Sequence, residues 1–293
     1  MNQITFKAHG KVVLTGEHAV IRGHPALVIP NLDQSLVVNY DATGQQEMIA
    51  DDDRTQWVFD HHWLQCWQLG QSYLNRPIEP LKGSLHIKNL IPIARGCGFS
   101  AALSVITAKL LNHVYDLSYD VNALFKLSMQ LEDHFHGQSS GVDVAGALAE
   151  KPIWYQRHKP LGTLSPNFKG AFYLFDSQQI SHTKDCVAKV NAMERPDLDG
   201  QMALASGLLR QGLEDHHHSD LLIPRALNLG HDCFMQWQLM PQELIYLQDQ
   251  IKQLGALASK VTGAGDGGYL LAYFKTPLTH QHDDLAPQAL MIG

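Results

Sequence analysis

Apolar residues come in short bursts near the start of the chain. Residues 12–14, 26–29 and 36–38 are rich in Val, Ile and Leu, and Gly16, Gly23 and Pro25 separate them. Such runs, bounded by turn formers, predict short strands. Trp57, Trp63 and Trp67 follow at spacings that suit one helix face and packing. Leu85 and Ile87 alternate with polar neighbours, as in a strand, and Pro92, Gly96 and Gly98 then mark a loop. From Ser100 a period near 3.6 appears in Ala101, Ala102, Val105, Ile106, Ala108, Leu110 and Leu111, which predicts a buried helix with Ser100 as its N-cap. A second helix is predicted over about 120–136, with Val121, Leu124, Leu131 and Phe135 in its stripe, Glu132 beside it, and Gly137 as its stop. Strands are expected near 153–155 and 171–175, polar or helical stretches over 180–255, and a glycine loop entering a strand over 260–274.

The chain has 293 residues, which suits one large domain or two ordinary ones. A boundary near 155–170 gives comparable halves, 1–160 and 161–293. Hydrophobic residues at 45% and charged residues at 17% describe a globular chain. The net charge is −7 and basic residues never cluster, so a nucleic-acid binder held by phosphate contacts is not expected. Cys66, Cys97, Cys186 and Cys233 form no CxxC pair, which excludes a zinc ribbon or a thioredoxin-like motif. No apolar window is long enough for a membrane span and no signal-like start occurs, so a cytoplasmic protein without a membrane partner is expected. Among the 17 histidines, His134 and His136 lack the spacing that puts two ligands on one helix face, and the run His216–His218 suits a solvated loop.

Candidate chemistry collects in three glycine-bearing segments. Gly96-Cys97-Gly98-Phe99-Ser100 leads straight into a helix, and a glycine turn at a helix N-terminus can hold phosphate. It is neither a Walker loop nor a dinucleotide fingerprint. By itself it is also compatible with an ordinary strand–helix turn. Glu132 and Asp143 stand eleven positions apart. A phosphotransferase needs one carboxylate for Mg²⁺ and one for the acceptor hydroxyl, with a cation such as Lys11 near the latter. Surface carboxylates remain the alternative.

These segments together resemble the GHMP kinases. Gly10 to Val20, GKVVLTGEHAV, is similar to that family's first motif; PIARGCGFSAA from Pro92 to its phosphate loop; KVTGAGDGG from Lys260 to its third motif. EDHFHGQSSGVD resembles the segment that holds its Mg²⁺-binding glutamate and catalytic aspartate, and SHTKDCV from Ser181 weakly resembles a further segment. The resemblance implies an α+β fold of two domains with the active site in the cleft between them. It implies ATP- and Mg²⁺-dependent phosphorylation of a small-molecule alcohol, and GEHAV points to mevalonate, giving 5-phosphomevalonate. Asp143 would act on the acceptor hydroxyl, with Lys11 beside it. Ser100 and Glu132 would bind Mg²⁺. Gly96, Gly98, Ser100 and Ala101 would cradle the triphosphate, and Gly263, Ala264 and Gly265 would close its far wall. Glu17 and His18 would shape the acceptor pocket. Lys184, Arg22 and Arg95 are candidates for a substrate carboxylate, and a homodimer is left open.

The chain departs from the family pattern at several positions. Phe99 stands where a serine is usual, which sets a bulky ring beside the phosphates. Asp266 replaces a glycine and sets a charge there. His9, Ala94, Cys97 and Ser139 replace Pro, Gly, Leu and Pro. A sibling kinase acting on phosphomevalonate, a sugar or another alcohol, and a non-catalytic nucleotide-binding protein, are the competing readings.

Overall fold

A computed structural model describes residues 3–93, 95–137, 139–279 and 285–292. Ala94 and the side chain of His136 lie outside the described residues. The chain divides into two compact units, one of residues 1–11 and 30–150, the other of residues 12–29 and 151–293.

The early bursts of aliphatic residues are parts of two long strands, β1 (Gln3–Thr15) and β2 (Ala26–Asp41). In the first unit the C-terminal half of β2 pairs antiparallel with β4 (Ser84–Asn89), from Leu36 opposite Asn89 to Asp41 opposite Ser84. Between them come β3 (Glu47–Ala50), which runs parallel to β4, then α1 (Asp53–Val58) and α2 (Leu64–Tyr73), joined by a π-helical turn. Trp63 and Trp67 are buried and stacked at 5.6 Å, whereas Trp57 is exposed and stacks on His61. Three helices complete the unit: α3 (Phe99–Val114), α4 (Val121–His136) and α5 (Val142–Leu148). From Phe99 to Leu111 only Ser100 and Lys109 of α3 escape full burial, as expected of a helix that is apolar on every side. α3 begins two residues earlier than a Ser100 N-cap implies. Gly98, in a left-handed conformation at φ 84°, occupies the N-cap, and Ser100 lies in the first turn.

The second unit contains β5 (Ile153–Tyr155), antiparallel to the N-terminal half of β2, and β6 (Gly162–Thr163) beside it. Its own sheet starts with β7 (Ala171–Asp176). The stretch 180–255 folds into α6 (Thr183–Met193), α7 (Pro196–Glu214), α8 (Ser219–Gln236) and α9 (Gln242–Gln253). Then come β8 (Ala258–Thr262), β9 (Tyr269–Phe274) and β10 (Gln288–Leu290), giving the strand order β10-β7-β9-β8. A core of Phe175, Leu198, Met202, Phe234, Trp237, Val261 and Leu270 lies between sheet and helices. Residues 12–29 group with this unit, so a single cut near residue 160 does not follow the contacts. Among the described residues no helix is long and apolar enough to cross a membrane.

Helix α4 carries Glu132 and is capped by Asp120, whose side chain accepts the backbone N–H of Ala123 at 2.8 Å. Asp120→Ala is expected to lower stability by about 1 kcal/mol. Urea denaturation checks this: the midpoint falls while the slope is unchanged.

Candidate active site

In the first unit one cluster brings together Lys11, Gly98, Ser100, Glu132 and Asp143. The backbone N–H of Lys11 donates to the carbonyl of Cys97 at 3.0 Å, which lays β1 against the glycine loop. The Lys11 stem then crosses Gly98: a Cβ at residue 98 would stand 2.7 Å from Lys11 Cγ. Beyond the crossing, Lys11 Nζ reaches Asp143 Oδ1 at 2.7 Å. The lysine side chain is 5% exposed and the aspartate 42%, so the ammonium supports the carboxylate from behind while the carboxylate meets solvent. Asp143 sits in the first turn of α5, whose N-cap Gly141 is left-handed at φ 88°. A negative charge is favoured at that end of a helix.

The other carboxylate is held differently. Glu132 is buried; Ser100 Oγ donates to its Oε1 at 2.7 Å and Ser104 Oγ to its Oε2 at 2.9 Å. Ser100 therefore does not serve as the helix cap. The N–H groups of Phe99, Ser100 and Ala101 precede the first intrahelical bond of α3, from Ala102 N–H to Gly98 O at 2.9 Å. Gly96, at φ 73°, leaves open space where a Cβ would be. The donors are hard oxygens beside a helix N-terminus. That set fits Mg²⁺, which binds through one or two carboxylates and otherwise through phosphate and water. It does not fit a metal caged by protein alone, and no group of three His, Cys, Asp or Glu suited to that occurs among the described residues. The ring of Phe99 is buried. Cys97 is a buried filler whose Sγ lies 3.8 Å from the carbonyl of Arg95.

In the second unit the first and third motifs are joined at alternate residues. Lys260 Nζ meets Glu17 Oε1 at 2.5 Å, Thr262 Oγ1 donates to the carbonyl of Val13 at 2.7 Å, and His18 Nε2 bonds the carbonyl of Ala264 at 2.9 Å. Lys260 and Glu17 are only 0% and 3% exposed. Burial pushes the Glu17 carboxyl up and the Lys260 ammonium down, and their mutual attraction opposes both shifts. His18 has φ 60° and ψ −51°, and the N–H of Ala19 bonds the carbonyl of Glu17 at 2.6 Å. That is a γ-turn of the positive-φ form, the rarer and strained kind. The His18 ring packs edge-on against Trp237 at 5.2 Å and Phe234 at 5.8 Å. Glu17 and His18 thus face inward and anchor the loop of Gly263, Ala264 and Gly265. Lys260 was not singled out from sequence; its place in K-x-T-G is the available signal.

Asp266 also differs from expectation. It sits at φ 56° in a stretch where Gly263, Gly265 and Gly268 all have positive φ, a conformation Asp tolerates better than most residues. Its N–H donates to the carbonyl of Leu239 at 2.9 Å and its carboxylate lies 3.8 Å from Cys186 Sγ. Ser181 Oγ donates to the carbonyl of Gly265 at 2.5 Å. Burial first, then the charge of Asp266, pushes the Cys186 thiol up to about 11. The Asp266 backbone thus ties the third motif to Leu239, and its half-buried carboxylate contacts the Cys186 thiol. Of the candidates for a substrate carboxylate, Arg22 is committed to Asp199 and Asn191, while Arg95 and Lys184 are exposed.

Two outcomes follow from this second cluster. Burial lowers the His18 pKa from 6.5 to about 4. The unfolded chain therefore binds this proton first, and stability rises with pH across that interval, by up to about 3 kcal/mol for this one residue. Denaturant midpoints from pH 4 to 7 check the slope, which His18→Asn should reduce. Lys260→Met alone should destabilise by about 3 kcal/mol or more because Glu17 stays buried and unpaired. Lys260→Met with Glu17→Leu should recover most of that loss, as read in calorimetric melting.

A family model described as the GHMP kinases N terminal domain matches residues 63–151. The chain is 25% identical over 300 residues to a mevalonate kinase of Thermococcus sibiricus, covering 92% of this chain and 89% of that one. Its fold matches the crystal structure of L. major mevalonate kinase in complex with R-mevalonate at TM-score 0.73 and 22% identity, over 93% of this chain and 88% of that one. It also matches Streptococcus pneumoniae phosphomevalonate kinase in complex with phosphomevalonate and AMPPNP at TM-score 0.77 and 19% identity, over 98% of each. Residues 63–151 thus carry the match to the GHMP kinases N terminal domain, and the chain as a whole is similar in sequence to curated mevalonate kinases and in fold to solved mevalonate and phosphomevalonate kinases.

Proposed function

We propose that this chain transfers the γ-phosphoryl group of ATP to the hydroxyl of mevalonate, giving 5-phosphomevalonate. The observation that carries the reading is the Lys11–Asp143 pair, placed by Gly98 against the loop that opens α3. Phosphoryl transfer asks little covalent chemistry of a protein and much positioning and charge neutralisation. Asp143, exposed on one side, accepts the proton of the acceptor hydroxyl as that oxygen attacks phosphorus. Lys11 holds the Asp143 carboxylate in place and offsets the negative charge that gathers beside it. The loop glycines and the first N–H groups of α3, those of Phe99, Ser100 and Ala101, bind phosphate oxygens. Glu132 and Ser100 would hold the Mg²⁺ of the nucleotide, whose charge neutralises the β- and γ-phosphates when bound. Mevalonate as acceptor is supported by the GEHAV form of the first motif and by the curated relatives, named mevalonate kinases at about 25% identity over most of the chain. Retention of Lys11, Glu132 and Asp143 supports a catalytic chain over a non-catalytic nucleotide-binding one.

Values of kcat/KM for mevalonate, phosphomevalonate and hexoses test the acceptor. Mevalonate should lead by at least tenfold, about 1.4 kcal/mol in transition-state stabilisation. A hexose or phosphomevalonate ahead by that margin overturns the assignment. Asp143→Asn should lower kcat by roughly 10² or more with ATP affinity retained, and near-normal turnover would remove Asp143 from the mechanism.

A further inference from the structure

We propose that Ser104 is a positioning residue that aims the Glu132 carboxylate at the divalent cation of the bound nucleotide; this rests on the kinase reading above. Ser100 and Ser104 lie one turn apart on α3, so both hydroxyls project toward the same place on α4. Each takes a different oxygen of Glu132, at 2.7 Å and 2.9 Å. A buried hydroxyl on a helix usually bonds back to the carbonyl one turn earlier. Thr107 does so to Leu103 and Ser128 to Leu124, both at 2.8 Å. Ser104 instead donates across to the neighbouring helix.

The two serines differ in surroundings. Ser100 stands in the first turn of α3, where the N–H groups suited to phosphate are, whereas Ser104 is fully buried. Ser100 donates its hydroxyl hydrogen to Glu132 and keeps its oxygen lone pairs for the cation. Ser104 has no such second task, and its bond to Oε2 fixes the plane of the carboxylate. A carboxylate restrained at one oxygen presents the other to a hard cation with little freedom left to lose. Partners that orient a metal ligand in this way are needed for full affinity.

The test compares the full chain with Ser104→Ala, Glu132→Gln and the double variant. Mn²⁺ is the spectroscopic probe, and its affinity in the presence of ATP is read by electron paramagnetic resonance without any acceptor. Metal-free ATP affinity in EDTA is measured in parallel. Ser104→Ala should weaken Mn²⁺ binding at least fivefold, leave metal-free ATP binding within twofold, and add nothing in the Glu132→Gln background. Unchanged Mn²⁺ affinity, an equal loss of metal-free ATP binding, or the same loss without Glu132 would each overturn the proposal. Should Ser104→Ala not fold, Ser104→Cys keeps the volume and supplies only a weak donor. It should then weaken Mn²⁺ at least threefold, and wild-type affinity contradicts the assignment. Failure to phosphorylate mevalonate counts against the proposed acceptor alone, since no acceptor enters this measurement.

Discussion

A single hydrogen atom in place of a side chain, at Gly98, sets the geometry of the first unit's chemistry. The Lys11 stem lies across it, 2.7 Å from where a Cβ would be. The same glycine takes φ 84° and so turns the loop into α3. Two requirements meet at one residue: a left-handed backbone, which glycine adopts without strain, and contact with a buried lysine. From that crossing follow the Lys11–Asp143 pair on one side and the first turn of α3 on the other. Ser100, Ser104 and Glu132 then fall into place because α3 packs on α4.

The second unit depends on a different constraint. Residues 12–29 belong to it because Glu17, His18 and the carbonyl of Val13 are tied to Lys260, Ala264 and Thr262. A fully buried Lys–Glu pair adds little net stability, because desolvation offsets most of the attraction. Its value lies in specificity. Only one register of the first motif against β8 pairs both charges, and that register also closes the strained turn at His18. Strain of this kind persists where surrounding contacts over-determine it. The four positive-φ residues of the third motif are braced in turn by Ser181, Asp266 and Leu239.

Local signals in the sequence proved readable where they are chemically sharp. The helix read over 120–136 is α4, because Asp120 caps it and Gly137 ends it. Of the stretch 260–274, read as a glycine loop entering a strand, residues 263–268 are the loop and 269–274 are β9, while 260–262 belong to β8; the segment around Leu85 and Ile87 is β4. Less was legible where contacts are distant. β2 runs unbroken through Pro30, Asn31 and Asp33, whose polar or imino character hides a strand supported by its partners. Ser100 looks like a cap, but the glycine before the helix takes that role and the hydroxyl turns to Glu132. Lys260 finds its partner 243 residues away, which no spacing rule reveals. Of the candidate site, motif order singles out Lys11, Glu132 and Asp143, and the structure brings Lys11 to Asp143 and Ser100 to Glu132. The support around them, Gly98 against Lys11 and Ser104 against Glu132, required coordinates.

The central claim is that the lysine crossing Gly98 acts on catalysis through Asp143 and is not needed to hold the nucleotide. Lys11→Met keeps a stem of similar length over the glycine and removes the charge. Its kcat with mevalonate, measured beside its ATP dissociation constant, tests the claim most directly. The account predicts a kcat at least about 10² lower with ATP affinity within about threefold of wild type. A wild-type kcat, or a loss confined to ATP binding, would contradict it.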